Sequence, residues 1–294
     1  MPAIASGDFS LEITQVAPNV YSAIGETQPP TYENRGHNNN LSFIVTDAGV
    51  LVVNGGDNYY LARALHRAIR ERTRQPVRWV VDENGQGHAF LGNSYWAEQD
   101  VPVIALQPAC EEIREHGQSV LKRMLARNRE RGEHTSVVVP QFCFRSRLTL
   151  HPGSTTIELL TFGPAHSPGD LSVWLPEEKI LIAGDIAFHQ RLLAIFPDTD
   201  VSGWLSSFEK MMALQPAIVV PGHGGPTDVQ TVKTWTYDYL TYLSAEVQRI
   251  LDDFGDLSDA YDIDQSAYSS LDTFDELARK NAGRLFRQME MDSF

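Results

Sequence analysis

Cysteine is scarce in this sequence: only Cys110 and Cys143 occur among its 294 residues. Two cysteines are too few for a disulfide framework, and their spacing matches neither a cysteine-rich zinc site nor a Cys-x-x-Cys redox motif. One bridge between the two is compatible with the count. We predict instead that both are buried free thiols.

Long apolar runs are missing as well. None approaches the roughly 20 residues that a transmembrane helix needs. The opening stretch "MPAIASGDFSLEITQ" has neither the basic start nor the apolar centre of a secretory signal. We therefore expect no membrane association and a cytoplasmic location.

Positive charge is in short supply. Lys and Arg number 24 against 38 Asp and Glu, which gives a formal net charge of -14. A protein that binds nucleic acid or an anionic membrane needs a basic face, so neither is an expected partner. We expect a small-molecule substrate, and a homodimer is compatible with the sequence.

Flexible linkers and low-complexity segments are absent too. Strand-like and helix-like stretches alternate in two successive blocks, roughly residues 10–130 and 136–225. This alternation predicts two β-rich halves packed face to face with helices outside them. We predict one domain over residues 1–294, with its core at about 15–245 and a C-terminal helical extension at about 246–294.

Local patterns predict the individual elements. Residues 40–56, "NLSFIVTDAGVLVVNGG", are typical of two strands joined by a turn at Asp47-Ala48-Gly49. Apolar residues at helical spacing predict helices at about 58–73, 108–131, 201–214, 226–255 and 271–291. Short apolar runs predict strands at about 77–81, 101–105 and 217–222. The acidic segment between the last two helices is expected to be a solvated loop.

Histidine and aspartate recur where predicted strands end. His88, His166 and His223 each lie in a loop of this kind, and Asp185 shares another, "LIAGDIAFHQ", with His189. Gly or Pro stands near each of them, which lets the backbone turn sharply. Strand ends in layered folds converge on one rim, so we expect these side chains to meet. Imidazole and carboxylate together are ligands of first-row metals.

Three stretches resemble the metallo-β-lactamase-fold superfamily: "NLSFIVTDAGVLVVNGG", "GPAHSPGDLSVWLPEEKILIAGD" and "VVPGHGGP". The resemblance runs over about residues 15–245. It implies a mixed α/β (α+β) fold, an αββα sandwich with a metal site at one rim of its two sheets. It also implies that His166 and His223 are metal ligands and that Asp185 bridges two metals. A metal-activated water would then hydrolyse an ester, thioester, lactone, amide or phosphoester.

The loop at residues 82–93, "DENGQGHAFLGN", departs from the family pattern. Family members have His-x-His-x-Asp-His there, followed by two residues and Gly-Asn. Without a gap, the four ligand positions become Asn84, Gln86, His88 and Ala89. A one-residue slip would instead put His88 in the place of the final histidine. Because an amide oxygen is a weak zinc ligand, an ordinary two-zinc centre is not expected.

Several other residues are candidates for supporting the site or contacting substrate. Asn84 and Gln86 would supply hydrogen bonds. Asn54, in "VVNGG", replaces the acidic residue that supports the site in family members. His37, in "RGHNNN", precedes a central strand whose loop flanks the site in this fold, and His189 follows Asp185 by four residues.

Three interpretations remain open at this point. The first is a hydrolase with one divalent ion per chain, zinc or iron, held by His88, Asp185 and His223, with His166 as a ligand or general base. The second is a metal-free member of the family that binds a ligand or a partner. The third is a non-haem iron redox protein with two histidines and a carboxylate. We predict the first, with Asp185 and His166 as catalytic residues.

Overall fold

The first block of strands forms one sheet. The computed structural model describes residues 9–292, and its first sheet has seven strands that follow chain order from edge to edge. They are β1 (Thr14–Ala17), β2 (Val20–Ala23), β3 (Leu41–Thr46), β4 (Gly49–Val53), β5 (Val77–Asp82), β6 (Val103–Leu106) and β7 (Phe142–Phe144). Strands β1 to β4 pair antiparallel, whereas β4 to β7 pair parallel. The parallel pairs bring the ends of β4, β5 and β6 to one edge of the sheet.

The second block forms a five-stranded sheet. Its strands are β8 (Arg147–Leu150), β9 (Ile157–Leu160), β10 (Ser172–Leu175), β11 (Ile180–Phe188) and β12 (Ile218–His223). Their order across the sheet is β12, β11, β10, β9, β8, and only β11 and β12 pair parallel. Strand β11 is buried along its whole length, because layers of side chains cover both of its faces.

Nine α-helices occur in the described residues. They are α1 (Tyr59–Arg70), α2 (Gly87–Phe90), α3 (Asn93–Glu98), α4 (Gln107–Asn128), α5 (Val201–Met212), α6 (Val229–Val232), α7 (Asp238–Asp252), α8 (Leu257–Tyr261) and α9 (Phe274–Asp292). Side chains cap several of them, because the first backbone N–H groups of a helix need acceptors. Asn58 accepts from the N–H of Leu61 in α1, and Asp200 accepts from that of Gly203 in α5.

Apolar side chains between the two sheets form the central core. Both sheets contribute to it, with Ile44, Leu51, Val53, Leu159, Val173 and Ile182 among its members. A second cluster packs α1 and α3 on the outer face of the first sheet, and the largest packs α5, α7 and α9 on the outer face of the second. The layers are therefore helix, sheet, sheet, helix, and the expected αββα sandwich is confirmed.

The predicted elements differ from the observed ones mainly near the C-terminus. The strand pair and the helices predicted before residue 215 lie within a few residues of the observed ones. The single helix predicted at 226–255 is α6, a π-helical stretch at Lys233–Tyr237 and α7. The loop predicted after it contains α8, because Asp256 and Asp259 form a capping box at its start.

The prediction of two free thiols is wrong, because Cys110 and Cys143 form a disulfide. Cys110 lies in α4 and Cys143 in β7, and their Cα atoms are 6.4 Å apart, within bridging distance. Only the packing of α4 beside β7 brings them together, which their spacing in the sequence does not reveal.

Among the described residues, no helix combines the length and the apolar composition that a membrane-spanning segment needs.

Candidate metal centre

The site lies where strands of both sheets end. The loop after β5 supplies Asn84 and Gln86, α2 supplies His88, and the loop before β10 supplies His166. Asp185 lies within β11, and His223 is the last residue of β12. These side chains point into one region, as expected. The prediction of loop positions after strands is wrong for Asp185, His88 and His223, which lie inside regular elements.

The Asp185 carboxylate is at the centre of the group. Its Oδ2 lies 3.4 Å from Nε2 of His88 and 3.9 Å from Nε2 of His166, and its Oδ1 lies 3.5 Å from Nε2 of His223. The carboxylate is fully buried, and the three imidazoles surround it. The structure thus brings together all four residues predicted as metal ligands; their ligand roles stay predictions.

Glu83 is the main residue that the sequence analysis missed. Its Oε1 lies 3.3 Å from Nε2 of His88, and its side chain is 2% exposed. Glu83, His88 and Asp185 each offer one ligand atom, and these atoms lie within 4.8 Å of one another. The signal was present, because Glu83 directly follows β5 and a carboxylate at a strand end is as informative as a histidine.

A relay of amide side chains orients the carboxylates. Asn54 donates to Oδ1 of Asn39 over 2.8 Å. Asn39 then donates to Oε1 of Glu83 over 2.9 Å and to Oδ1 of Asp185 over 3.3 Å. The side-chain oxygen of Asn54 also accepts from the backbone N–H of Glu83. Asn54 therefore supports the site through Asn39, a residue that the sequence analysis did not single out.

Both the amide nitrogen and the amide oxygen of Asn84 have hydrogen-bond partners within the protein. It is fully buried, and its Nδ2 lies 3.3 Å from Oδ2 of Asp185 and 3.3 Å from Oδ1 of Asp170. Its Oδ1 accepts from the backbone N–H of Gln86. Asp170, in "AHSPGD", was also missed, and the backbone and hydroxyl of Ser167 hold it in place. Asn84 is therefore a spacer between two carboxylates, and not a substrate contact.

Of the three remaining candidates, Gln86 lines the cavity, and His37 and His189 do not. Gln86 lines the cavity next to His88. His37 lies 3.4 Å from the backbone oxygen of Ala23, and Nε2 of His189 lies 2.6 Å from that of Gly225. Neither of these two histidines is among the cavity-lining residues of the described chain, so a substrate contact from them is not supported.

A cavity of about 300 Å³ opens above the group. His88, His166 and His223 form part of its floor. Its walls combine apolar and basic side chains, with Pro29, Pro30, Leu91, Val120, Arg123, Met124, Arg127, Phe188, Arg191, Phe196 and Leu277 among them. Helix α4 and the start of α9 both contribute, so residues far apart in the sequence enclose the site.

Charges within the group shift the pKa of each member. Burial alone would lower the pKa of His88, but the Asp185 and Glu83 carboxylates outweigh burial and raise it to about 10. Burial alone would raise the pKa of Asp185, yet His88 and His223 hold it below its usual range. Burial and the Asp185 charge raise the pKa of Glu83. In this arrangement His88 is protonated at neutral pH and Asp185 is ionised.

The other two imidazoles behave differently. Burial lowers the pKa of His166 and lowers that of His223 further, so both rings are neutral at neutral pH. Nη1 of Arg191 lies 3.3 Å from Nδ1 of His223. A guanidinium can only donate, so Nδ1 of His223 accepts and its Nε2 carries the ring proton. Arg191 is buried, its Nε has no hydrogen-bond partner, and no sequence pattern pointed to it.

The residues around Asp185 fit a single metal ion. Nε2 of His88 is buried, faces Asp185 and has no hydrogen-bond partner, and a buried polar atom of this kind calls for a ligand. Imidazole nitrogens and carboxylate oxygens form a donor set suited to first-row divalent ions. Asn84 and Gln86 stand at two further ligand positions of the family and supply only amides, so a second ion lacks strong ligands.

Known proteins share both sequence and architecture with this chain. The family model of the metallo-beta-lactamase superfamily matches residues 99–223, so the match begins after the loop at 82–93 and ends at His223. A metallo-beta-lactamase type 2 of Bacteroides fragilis is 26% identical over 219 residues, which are 73% of this chain and 79% of that protein.

Two further relatives extend the comparison. The alpha subunit of 2,4-dinitroanisole O-demethylase from Nocardioides sp. (strain JS1661) is 23% identical over 184 residues, 60% of this chain and 50% of that protein. The solved structure of a metallo-beta-lactamase from Pontibacter korlensis superposes with a TM-score of 0.65 and 20% identity, covering 79% of this chain and 99% of that one. Residues 99–223 thus match the family model of the metallo-beta-lactamase superfamily, and the αββα sandwich is shared with solved metallo-beta-lactamase structures.

Proposed function

We propose that the protein is a metal-dependent hydrolase that works with one divalent ion, zinc or iron, on a small molecule with an ester, thioester, lactone or related carbonyl. The convergence of His88, His166 and His223 on the Asp185 carboxylate, at the floor of a cavity, supports this proposal. The hydrolase-type fold is consistent with it.

Asp185, His88 and His223 would hold the ion, with His166 as a further ligand or a general base. His88 and His166 face Oδ2 of Asp185, and His223 faces Oδ1. A divalent ion bound there would polarise a carbonyl and make water a stronger nucleophile. His88 would have to give up its second ring proton in order to hold an ion, because only a neutral imidazole can be a ligand.

The chain's own residues bind and orient the substrate. Phe188, Phe196 and Leu277 exclude water from part of the cavity, which strengthens the electrostatic interactions inside it. Gln86 lines the cavity and offers an amide to a polar group of the substrate. His166 is neutral and its Nδ1 is unpaired, so this atom can take up a proton during turnover.

Metal content and hydrolysis together test the proposal. Plasma emission on protein purified without added metal is expected to give about one ion per chain. Hydrolysis of p-nitrophenyl acetate, a simple thioester and a γ-lactone is expected to be detectable for at least one substrate and to stop on chelation. Asp185→Asn should abolish both metal and activity, whereas Asp100→Asn, at an exposed turn, should change neither. Two fully occupied zinc ions per chain would contradict the proposal.

A metal-free ligand-binding protein is the second candidate. It is favoured by His88, which as an imidazolium lies between Glu83 and Asp185 and neutralises part of their charge. In that case the protein would contain no metal as purified, would take up none on titration, and would hydrolyse none of the three substrates.

A further inference from the structure

We infer that Glu83 is a metal ligand, and that with His88 and Asp185 it forms a site with two carboxylates and one imidazole for an oxygen-preferring ion such as Mn²⁺ or Fe²⁺. The inference rests on the proposed function, because it concerns the ion of that same site. It assigns a ligand that the family pattern does not contain, and it removes His223 from the ligand set.

The position of Glu83 is the first argument. Its carboxylate is buried, it reaches Nε2 of His88 at 3.3 Å, and its Oε1 accepts from Asn39. Nε2 of His88 lies 3.4 Å from Asp185 yet makes no hydrogen bond of good geometry to either carboxylate. One imidazole nitrogen and two carboxylate oxygens therefore face a common point without satisfying one another.

The balance of charge is the second argument. Glu83, Asp170 and Asp185 are buried and linked through neutral amides, Asn39 and Asn84. Buried carboxylates are costly unless a cation accompanies them. Among the described residues that contact Glu83 and Asp185 directly, only histidines could carry positive charge. His223 is neutral, because its Nδ1 accepts from Arg191. A divalent cation restores the balance.

The surroundings of His223 are the third argument. A histidine ligand normally donates its other ring N–H to a carboxylate, a carbonyl or water, which fixes the tautomer. Nδ1 of His223 instead faces Arg191, which can only donate. The ring proton therefore sits on Nε2, the nitrogen that faces Asp185. The protonated Nε2 of His223 therefore faces Asp185 at 3.5 Å and has no lone pair for a metal, so we assign the third ligand position to Glu83.

The amide relay is the fourth argument. The resemblance places an acidic residue where Asn54 stands, and here the acidic residue is at position 83. Asn54 donates to Asn39, and Asn39 donates to Glu83. An ionised aspartate at position 54 could not donate. Asn54 and Glu83 are therefore linked through Asn39. The acidic residue that the resemblance places beneath the site stands here, as Glu83, among the proposed ligands.

Titration of the purified protein with Mn²⁺, followed by electron paramagnetic resonance, tests the inference without reference to activity. Glu83→Gln keeps the shape and the contact to Asn39 but loses the charge. It is expected to lower Mn²⁺ affinity at least about tenfold, and to lower Zn²⁺ affinity less, as measured by calorimetry. Glu158→Gln, a half-buried glutamate of β9 that pairs with Arg147, is the control and should leave both affinities unchanged.

His223→Gln separates the two possible ligand sets. It should change Mn²⁺ affinity little, whereas His88→Gln should abolish binding. Loss of binding in His223→Gln with normal binding in Glu83→Gln would overturn the inference and leave the proposed hydrolase intact. Failure of the unchanged protein to bind either Mn²⁺ or Zn²⁺ would overturn both. Thermal melting of each variant shows whether a loss of affinity reflects a loss of fold.

Discussion

At the scale of single residues, the loop after β5 combines amides with an imidazole. Asn84 and His88 both face Asp185. The amide at position 84 bridges two carboxylates, those of Asp170 and Asp185. The gap-free register and the remodelled metal loop stay predictions, which zinc binding can test.

The double variant Asn84→His/Gln86→His should raise zinc affinity about tenfold or more, because it restores two imidazoles at family ligand positions. Calorimetric titration with Zn²⁺ measures this. Adding Asn54→Asp should give no further gain, because an ionised aspartate cannot donate to Asn39. Gln99→His, an exposed amide away from the site, controls for an added imidazole. Unchanged zinc binding in the double variant would show that the gap-free register is wrong.

His66 should make the protein sensitive to acid independently of the metal centre. It is buried in α1, its Nδ1 lies 2.8 Å from the hydroxyl of Tyr95, and burial lowers its pKa to about 4. An unfolded histidine has a pKa near 6.5, so as pH falls from 7 to 4.5 the unfolded chain takes up a proton that the folded chain does not. The free energy of unfolding therefore decreases.

The expected loss from His66 is about 1–2 kcal/mol over this interval, less than the full linkage value because solvent screens part of the charge. Urea unfolding at pH 7 and pH 4.5 measures it. His66→Gln keeps a partner for Tyr95 and should reduce the difference between the two pH values by that amount. His116→Gln, at an exposed position, should leave the difference as it is in the unchanged protein.

At the scale of elements, α4 connects the first sheet with the cavity. It begins after β6, is tied to β7 by the Cys110–Cys143 disulfide, and supplies Val120, Arg123 and Met124 to the cavity wall. Its outer surface is polar, so the helix depends on a few apolar contacts and on the bridge for its position. Disulfides persist mainly in oxidising compartments. The bridge is therefore less typical of a cytoplasmic protein, and the cytoplasmic location stays a prediction.

Removal of the bridge with Cys110→Ser/Cys143→Ser should lower the free energy of unfolding by about 2–4 kcal/mol, because the closed loop no longer restricts the unfolded chain. Urea unfolding gives the value. Dithiothreitol should destabilise the unchanged protein by a similar amount and have no effect on the double variant. Equal stability of oxidised and reduced protein would show that the bridge does not form in solution.

At the scale of the whole molecule, both sheets share one core. Residues of both blocks lie in the same central cluster, which includes Leu51 and Val173. The C-terminal extension also belongs to the folded unit, since Asn281 of α9 bonds to the backbone of Leu193 and Ile195 beside the cavity. The single domain over residues 1–294 stays a prediction, and these contacts define its test.

Urea unfolding should therefore follow one cooperative transition, with far-ultraviolet circular dichroism and tryptophan fluorescence giving the same midpoint. Neither half can bury its inner sheet face alone. Limited proteolysis should accordingly leave the folded protein largely intact. Two stable fragments produced by a cut near residue 135 would show that the halves are separate domains.

The sequence by itself determined the order of strands and helices along the chain, the αββα architecture and the positions of His88, His166 and His223 near the ends of strands. These follow from local apolar patterns and from motifs whose residues are close together in the chain. The sequence also indicated that amides, Asn84 and Gln86, occupy family ligand positions, because these positions lie in one short loop.

Only the tertiary structure decided which groups touch. The bond from Asn39 to Asp185 spans 146 residues, and the contact of Arg191 with His223 joins a loop to the end of a neighbouring strand. The surroundings then set the charges: the Asp185 and Glu83 carboxylates raise the pKa of His88 in spite of its burial, whereas burial and Arg191 lower the pKa of His223, although both are histidines beside the same carboxylate. Protonation and ligand choice depend on the full three-dimensional surroundings of each group, and a linear pattern carries none of that information.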